Sequence, residues 1–147
     1  MPSVIHRAIT INRPIEEVFA VLTDVEKTER WFPAQVKEWW TSEPPYGVGS
    51  TRRARVRMGW FTSENDAVAT VYEPPTRAVM RGTSPNAPFE ATLHFEPVGA
   101  GTRVDATIEL TLRGPARLVG GMFARWYGGS WERGLARLKA MMEAGEL

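Results

Sequence analysis

The 147-residue chain is predicted to form one α+β domain, residues 1–147, in which a seven-stranded curved antiparallel sheet wraps around a long C-terminal helix. Segments with strand-like alternation, bounded by Pro and Gly, fill residues 36–112. Apolar residues at helical spacing continue over a long stretch only in residues 115–143. No repeat, linker or low-complexity tract divides the chain, so these elements belong to a single domain.

A strand and two short helices are predicted at the N-terminal end. Residues 4–11 place their isoleucines on one period-2 face. Pro14 suits the first turn of a helix, whose apolar stripe consists of Val18, Phe19 and Leu22. Thr23 and Glu26 resemble a capping box for a second short helix, which we expect to end before Pro33.

Alternation and turn residues predict six further strands. Their predicted bounds are residues 36–41, 51–58, 61–72, 77–83, 89–96 and 103–112. A two-residue turn at Gly59-Trp60 would pair outward-facing residues across two strands: Arg57 with Thr62, Arg55 with Glu64, and Arg53 with Asp66. We favour these cross-strand pairs over an anion-binding stripe of arginines.

The same register places a few polar residues on the inner face of the sheet. Phe61, Ser63 and Asn65 face inward, with Arg52 on the same side. A buried polar group needs a partner, so neighbours, water or a ligand must satisfy Arg52 and Asn65.

Two consecutive tryptophans, Trp39 and Trp40, lie in one predicted strand, so one must point inward and the other outward. An outward Trp indicates a homodimer or membrane contact, or else a ring covered by a loop.

The long C-terminal helix is predicted to open at Pro115. Leu118, Met122 and Trp126 lie at helical spacing and are the predicted cavity wall on the helix side, with core packing as the alternative. Two glycine pairs, residues 120–121 and 128–129, cost about 1 kcal/mol per glycine in a helix interior. They therefore indicate a close approach of another backbone, a kink, or room for a ligand.

Composition excludes several functional classes. A net charge of +1 argues against a nucleic-acid-binding domain, and the absence of cysteine excludes disulfides and thiolate metal sites. His6 and His94 alternate with inward apolar residues, so both are expected outside, which disfavours a metal site and a Ser-His-Asp triad. There is no nucleotide fingerprint, so no cofactor is predicted. Without a signal-peptide-like stretch or an integral membrane segment, a cytoplasmic location is the default expectation.

Several local phrases match a known pattern. They are residues 11–14 running into 17–19, residues 24–33, 72–75, 89–92, 95–97 with 101–104, and 135–139. With these phrases and this order of elements, nearly the whole chain resembles the START-like (SRPBCC) helix-grip superfamily, in particular its polyketide cyclase/dehydrase-like branch. The resemblance implies a helix-grip fold and a cavity for a lipophilic molecule, more strongly than it implies any reaction.

The leading hypothesis is therefore the binding of a polyketide, lipid or quinone-like ligand between sheet and helix. The predicted ligand-binding residues are Trp31, Phe32, Arg52, Phe61, Asn65, Phe89, Leu118, Met122 and Trp126. The alternative is a cyclase or dehydratase in which one polar residue moves a proton, with Asn65, Arg52, Glu90 and Tyr127 as candidates. A module that contacts a protein or membrane ranks third.

Overall fold

The computed structural model describes residues 3–33, 35–58, 61–85 and 88–147, without the side chains of residues 35, 36, 58, 61 and 116. The strands are β1 (Ser3–Ile11), β2 (Gln35–Trp40), β3 (Thr51–Met58), β4 (Phe61–Glu73), β5 (Arg77–Gly82), β6 (Phe89–Val98) and β7 (Gly101–Leu110). The α-helices are α1 (Ile15–Thr23), α2 (Thr28–Trp31) and α3 (Gly120–Glu143), with 3-10 turns at Val25–Lys27 and Gly114–Val119.

The seven strands form one antiparallel sheet in the order β1-β7-β6-β5-β4-β3-β2. The two short helices lie between β1 and β2, and α3 packs across the inner face of the sheet, as the sequence predicts for a helix-grip fold. Phe95 from the sheet and Leu135, Leu138 and Met142 from α3 are fully buried in the shared core. No helix within the described residues is long and apolar enough to cross a membrane.

The predicted register between β3 and β4 is confirmed. Arg53 lies opposite Asp66, with Nε 2.8 Å from Oδ1, and Arg55 lies opposite Glu64, with Nη2 3.4 Å from Oε2. Arg57 also faces its predicted partner, Thr62. The turn predicted at Gly59-Trp60 lies outside the described residues, but Met58 pairs with Phe61 across it.

The predicted capping box at Thr23 is wrong. The Asp24 side chain accepts a hydrogen bond from the Glu26 backbone N–H and caps the 3-10 turn. Thr23 instead completes the preceding helix, because its hydroxyl donates to the Phe19 carbonyl at 2.7 Å. Asp and Thr are both good N-cap residues, so the position of the helix end decides which of them caps the next turn. The first helix ends at Thr23, which leaves Asp24 as the cap.

The C-terminal helix begins later than predicted. Gly114 has φ +64°, and a 3-10 segment then runs to Val119, so α3 proper starts at Gly120. Gly120 and Gly121 thus open the helix and do not interrupt it. At Gly128 the close neighbour is a side chain and not another backbone, since a Cβ there would lie 2.8 Å from Arg7 Nη2 on β1.

Candidate functional site

A cavity of about 590 Å³ lies between the inner face of the sheet and α3. Its surface is mostly apolar, and its walls come from α2, from strands β2 to β7 and from the helix side of the molecule. The helix-side wall consists of Val119, Phe123, Tyr127 and Trp131. This volume falls within the range typical of small-molecule sites in proteins.

An aromatic cluster closes the cavity at the end of α2. Trp31 and Phe32 both pack edge-to-face on Trp131, at centroid distances of 5.9 and 4.9 Å, and Phe32 also contacts Tyr127 at 5.8 Å. Gly134 permits this packing, because a Cβ there would lie only 3.1 Å from Phe32 Cδ2. Such edge-to-face pairs contribute about 0.5–1.5 kcal/mol each beyond burial.

A buried polar cluster interrupts the apolar wall. Arg52 Nε lies 3.2 Å from Glu38 Oε2, and Arg52 Nη1 donates to Asn65 Oδ1 at 2.6 Å. Thr28 donates its hydroxyl proton to Glu38 Oε1 at 2.8 Å, and the guanidinium lies 5.7 Å from the centre of the Phe89 ring. The side chains of Glu38 and Arg52 are each only 9% exposed. The cluster therefore presents a paired charge and several hydrogen-bonding atoms in an otherwise apolar cavity.

The strand register explains how these side chains meet. Glu38 on β2 and Asn65 on β4 both pair with Ala54 on β3, so they flank that fully buried residue on the inner face. Arg52 lies two residues before Ala54 and is therefore a diagonal neighbour of both. The small side chain of Ala54 takes little space between Glu38 and Asn65.

Burial changes the acid–base properties of two cavity residues. Burial raises the pKa of Glu38, and the charge of Arg52 and the hydrogen bond from Thr28 offset this only in part. Burial likewise raises the pKa of Tyr127, so its phenol stays protonated at neutral pH. The Trp131 indole N–H is buried and has no hydrogen-bond partner among the described residues, but it lies near that phenol and acts to lower its pKa.

The structure brings five of the nine predicted ligand-binding residues to the cavity. They are Trp31, Phe32, Arg52, Asn65 and Phe89. The side chain of Phe61, a sixth, lies outside the described part of the structure. Of the proton-transfer candidates, Tyr127 lines the cavity together with Arg52 and Asn65, whereas Glu90 is exposed on the outer face.

Three predicted residues do not reach the cavity, so the predicted helix-side wall is wrong. The side chains of Leu118 and Met122 are 82% and 76% exposed, and Trp126 stacks on Tyr127 beside the cavity. The observed wall follows the helix one position later, at Val119, Phe123 and Tyr127. One residue rotates a side chain by about 100° around a helix, so a shift of one position turns the predicted wall outward.

Glu38 is a cavity residue that the sequence did not predict. Strand alternation alone leaves open whether Glu38 or its neighbours face inward, and the pairing of Glu38 with the inward-facing Ala54 decides between them. The only available signal was an acidic residue next to two tryptophans in a strand, opposite a strand with an inward arginine.

The tryptophan pair of β2 divides as predicted. Trp40 lines the cavity and stacks on Tyr46 with centroids 4.1 Å apart. Trp39 is half-buried on the outer face, where Lys37 Nζ and Arg55 Cζ lie 5.8 and 5.9 Å from its ring. Cationic side chains therefore cover the outward ring in part, and a homodimer contact stays a prediction.

Both histidines lie outside, as predicted. His6 and His94 are exposed, and His6 Nε2 lies 3.1 Å from Asp105 Oδ1 on the outer face. Within the described residues no group of three or more His, Asp or Glu side chains could hold a metal ion.

Comparison with known proteins places this architecture in a family. The family described as polyketide cyclase / dehydrase and lipid transport matches residues 3–143. Uncharacterized proteins of Mycobacterium bovis and Mycobacterium tuberculosis are 31% identical over 106 residues, which cover 69% of this chain. The matched region covers 62% of the length of those relatives.

Solved structures share the fold at low sequence identity. A protein of Thermus thermophilus superposes with a TM-score of 0.84 at 17% identity, covering 99% of this chain and 100% of that one. The ZhuI aromatase/cyclase of Streptomyces sp. R1128 gives a TM-score of 0.68 at 18% identity, covering 78% of this chain and 70% of that one. A START superfamily protein of Mycobacterium smegmatis gives a TM-score of 0.65 at 14% identity, covering 88% of this chain and 94% of that one.

Proposed function

The chain belongs to the polyketide cyclase/dehydrase and lipid transport family, and on that premise we propose that its cavity binds a small lipophilic molecule carrying at least one oxygen atom. Polyketides, lipids and quinones are compounds of this kind. The ligand would lie between the sheet and α3, with its apolar body against the aromatic cluster of Trp31, Phe32 and Trp131.

One observation carries this proposal: an apolar cavity of about 590 Å³ has a buried charged cluster, Glu38 with Arg52, on its wall. Apolar walls favour a ligand that water solvates poorly, and a few placed polar groups orient it. Arg52 uses Nε and Nη1 for Glu38 and Asn65, and among the described residues no hydrogen bond involves Nη2. A carbonyl or phenol oxygen of the ligand could accept from that nitrogen.

Filling part of the cavity should weaken the binding of a neutral lipophilic probe. Ala91 lines the cavity, so Ala91→Phe would occupy part of it and should raise the dissociation constant for N-phenyl-1-naphthylamine by about tenfold or more. Fluorescence titration measures the constant. The matched control is Thr92→Phe, which adds a similar ring at the next position of β6, whose side chain alternates to the other face. Equal probe binding by both variants, or none by the unmodified protein, would refute the proposal.

The natural ligand can be sought directly. We expect mass spectrometry of an organic extract from the denatured protein to reveal a lipophilic compound in near-equimolar amount. The Ala91→Phe protein, prepared in the same way, should yield much less of it. An equal yield from both preparations would mean that the compound binds elsewhere.

A second candidate function, cyclisation or dehydration of the bound ligand, is favoured by the buried Glu38 beside Arg52 and Tyr127. Burial raises the pKa of this carboxyl and so favours its protonated form, which could donate the proton that such a reaction needs. If this function is correct, the co-purified compound or its precursor should change mass by the loss of water on incubation with the protein. Glu38→Gln should slow that change while probe binding persists. An unchanged rate in Glu38→Gln would exclude Glu38 as the proton-transfer group.

A further inference from the structure

An exposed apolar patch lies on the 3-10 segment and the first turn of α3. The side chains of Leu118, Val119 and Met122 are 82%, 51% and 76% exposed, and they are consecutive or one helical turn apart. Large apolar side chains scattered singly are ordinary, but three grouped on one turn mark a surface that contacts something else.

Basic residues surround this patch. Arg113, Arg117 and Arg125 are exposed, and none of them forms an ion pair with the described residues. Between Leu110 and Trp131 the chain contains these three arginines and no acidic residue, although the whole protein is nearly neutral. The local positive charge is therefore concentrated around the exposed apolar side chains.

We propose that this surface, formed by Leu118, Val119 and Met122 with Arg113, Arg117 and Arg125, docks on an anionic lipid membrane. Apolar side chains that enter the headgroup boundary, ringed by cations that contact anionic lipids, are the combination that holds proteins at such an interface. Arg113 and Arg117 also line a surface depression beside the patch, where lipid phosphates can approach both guanidinium groups. A second copy of this chain would bring the same arginines to a symmetric contact at this surface, and like charges facing each other disfavour that arrangement.

The docking surface adjoins the cavity. Val119 contributes to the exposed patch and to the cavity wall, and Leu112 lines both the cavity and the depression that holds Arg113. A lipophilic molecule passing between a bilayer and the cavity at this end would meet apolar side chains along the way. A role of the docking surface in ligand transfer rests on the proposed cavity function, whereas membrane docking itself does not.

Vesicle flotation tests the docking. The ligand-free protein should float with vesicles of phosphatidylcholine mixed with phosphatidylglycerol and stay behind with vesicles of phosphatidylcholine alone. Raising the salt concentration should weaken the binding, because salt screens attraction between exposed charges. The double variants Leu118→Ser/Met122→Ser and Arg113→Gln/Arg117→Gln should each lower the partition coefficient by about tenfold or more.

Matched controls lie away from the patch. Val98 is also about half exposed but lies at the opposite end of the sheet, and Arg137 is an exposed arginine near the other end of α3. Val98→Ser and Arg137→Gln should leave flotation unchanged. Ala91→Phe should also float normally, so failure of the cavity proposal is distinguishable from failure of this one.

Three results would overturn the proposal. One is equal flotation with both vesicle types, and another is retention of binding in both double variants. The third is a concentration-dependent dimer in sedimentation that Leu118→Ser/Met122→Ser dissociates, because the patch would then face a second copy of this chain.

Discussion

Replacing Arg52 with methionine should lower the free energy of unfolding by about 3 kcal/mol at pH 7. The methionine keeps much of the apolar stem but leaves Glu38 buried without a counter-charge, and breaking a buried ion pair from one side costs about 3–5 kcal/mol. Glu38 can escape part of this cost by binding a proton, at about 1.4 kcal/mol for each pH unit above its ordinary pKa of 4.5. Urea unfolding followed by tryptophan fluorescence measures the change.

The loss should depend on pH in a defined direction. Removing Arg52 should raise the pKa of Glu38 further, because the guanidinium charge that lowers it is gone and burial remains. A carboxyl whose pKa is higher in the folded state than in the unfolded chain destabilises the fold as pH rises above the unfolded value. The deficit of Arg52→Met should therefore shrink as the pH is lowered from 7 towards 5 and grow above pH 7.

The double variant Arg52→Met/Glu38→Gln provides the control. It removes both charges, so most of the lost stability should return and the pH dependence of the deficit should disappear. A deficit in Arg52→Met that is independent of pH would show that lost packing against Phe89, and not the unpaired carboxylate, is responsible.

Leu138→Ala should lower the free energy of unfolding by about 3 kcal/mol and the melting temperature by about 10 °C. Leu138 is fully buried in the core between α3 and the sheet, so its truncation removes apolar contacts and leaves a void. Differential scanning calorimetry gives the shift directly.

Leu118→Ala is the matched comparison. It makes the same chemical change on the C-terminal segment, but the Leu118 side chain is 82% exposed. We expect a change of about 0.5 kcal/mol or less. Similar losses at both positions would mean that Leu118 is covered in the folded protein, which would contradict the exposed patch.

The alternation of residue types was enough to predict the sheet and its pairing. Thr51–Met58 and the strand from Phe61 alternate so regularly that their register follows from the two residues between them, and the ion pairs of Arg53 and Arg55 follow from that register. The same register placed Arg52 and Asn65 inside, where the structure joins them at 2.6 Å. Local signals sufficed here because each strand has one buried and one exposed face.

Two features of the site depended on tertiary structure. Pairing with the inward-facing Ala54 of β3 turns Glu38 inward, and the sequence of β2 alone does not fix that pairing, because the register shifts between Gln35 and Lys37. The second feature is the orientation of the C-terminal helix about its own axis, which decides which of its side chains face the cavity. Leu118, Met122 and Trp126 have the spacing of a buried stripe, as do the residues that follow them by one position.

The amino-acid sequence alone was therefore sufficient to predict the class of fold, the pairing of the strands and the presence of an inward arginine. The packing of the folded chain was needed to bring Glu38 into the polar cluster and to turn Tyr127, rather than Leu118 or Met122, towards the cavity. Spacing defines a face relative to its own helix or strand, whereas the direction of that face depends on where the 3-10 segment ends and how α3 packs on the sheet. Neighbouring positions on a helix differ by about 100° around its axis, so an offset of one residue separates the cavity wall from the exposed surface.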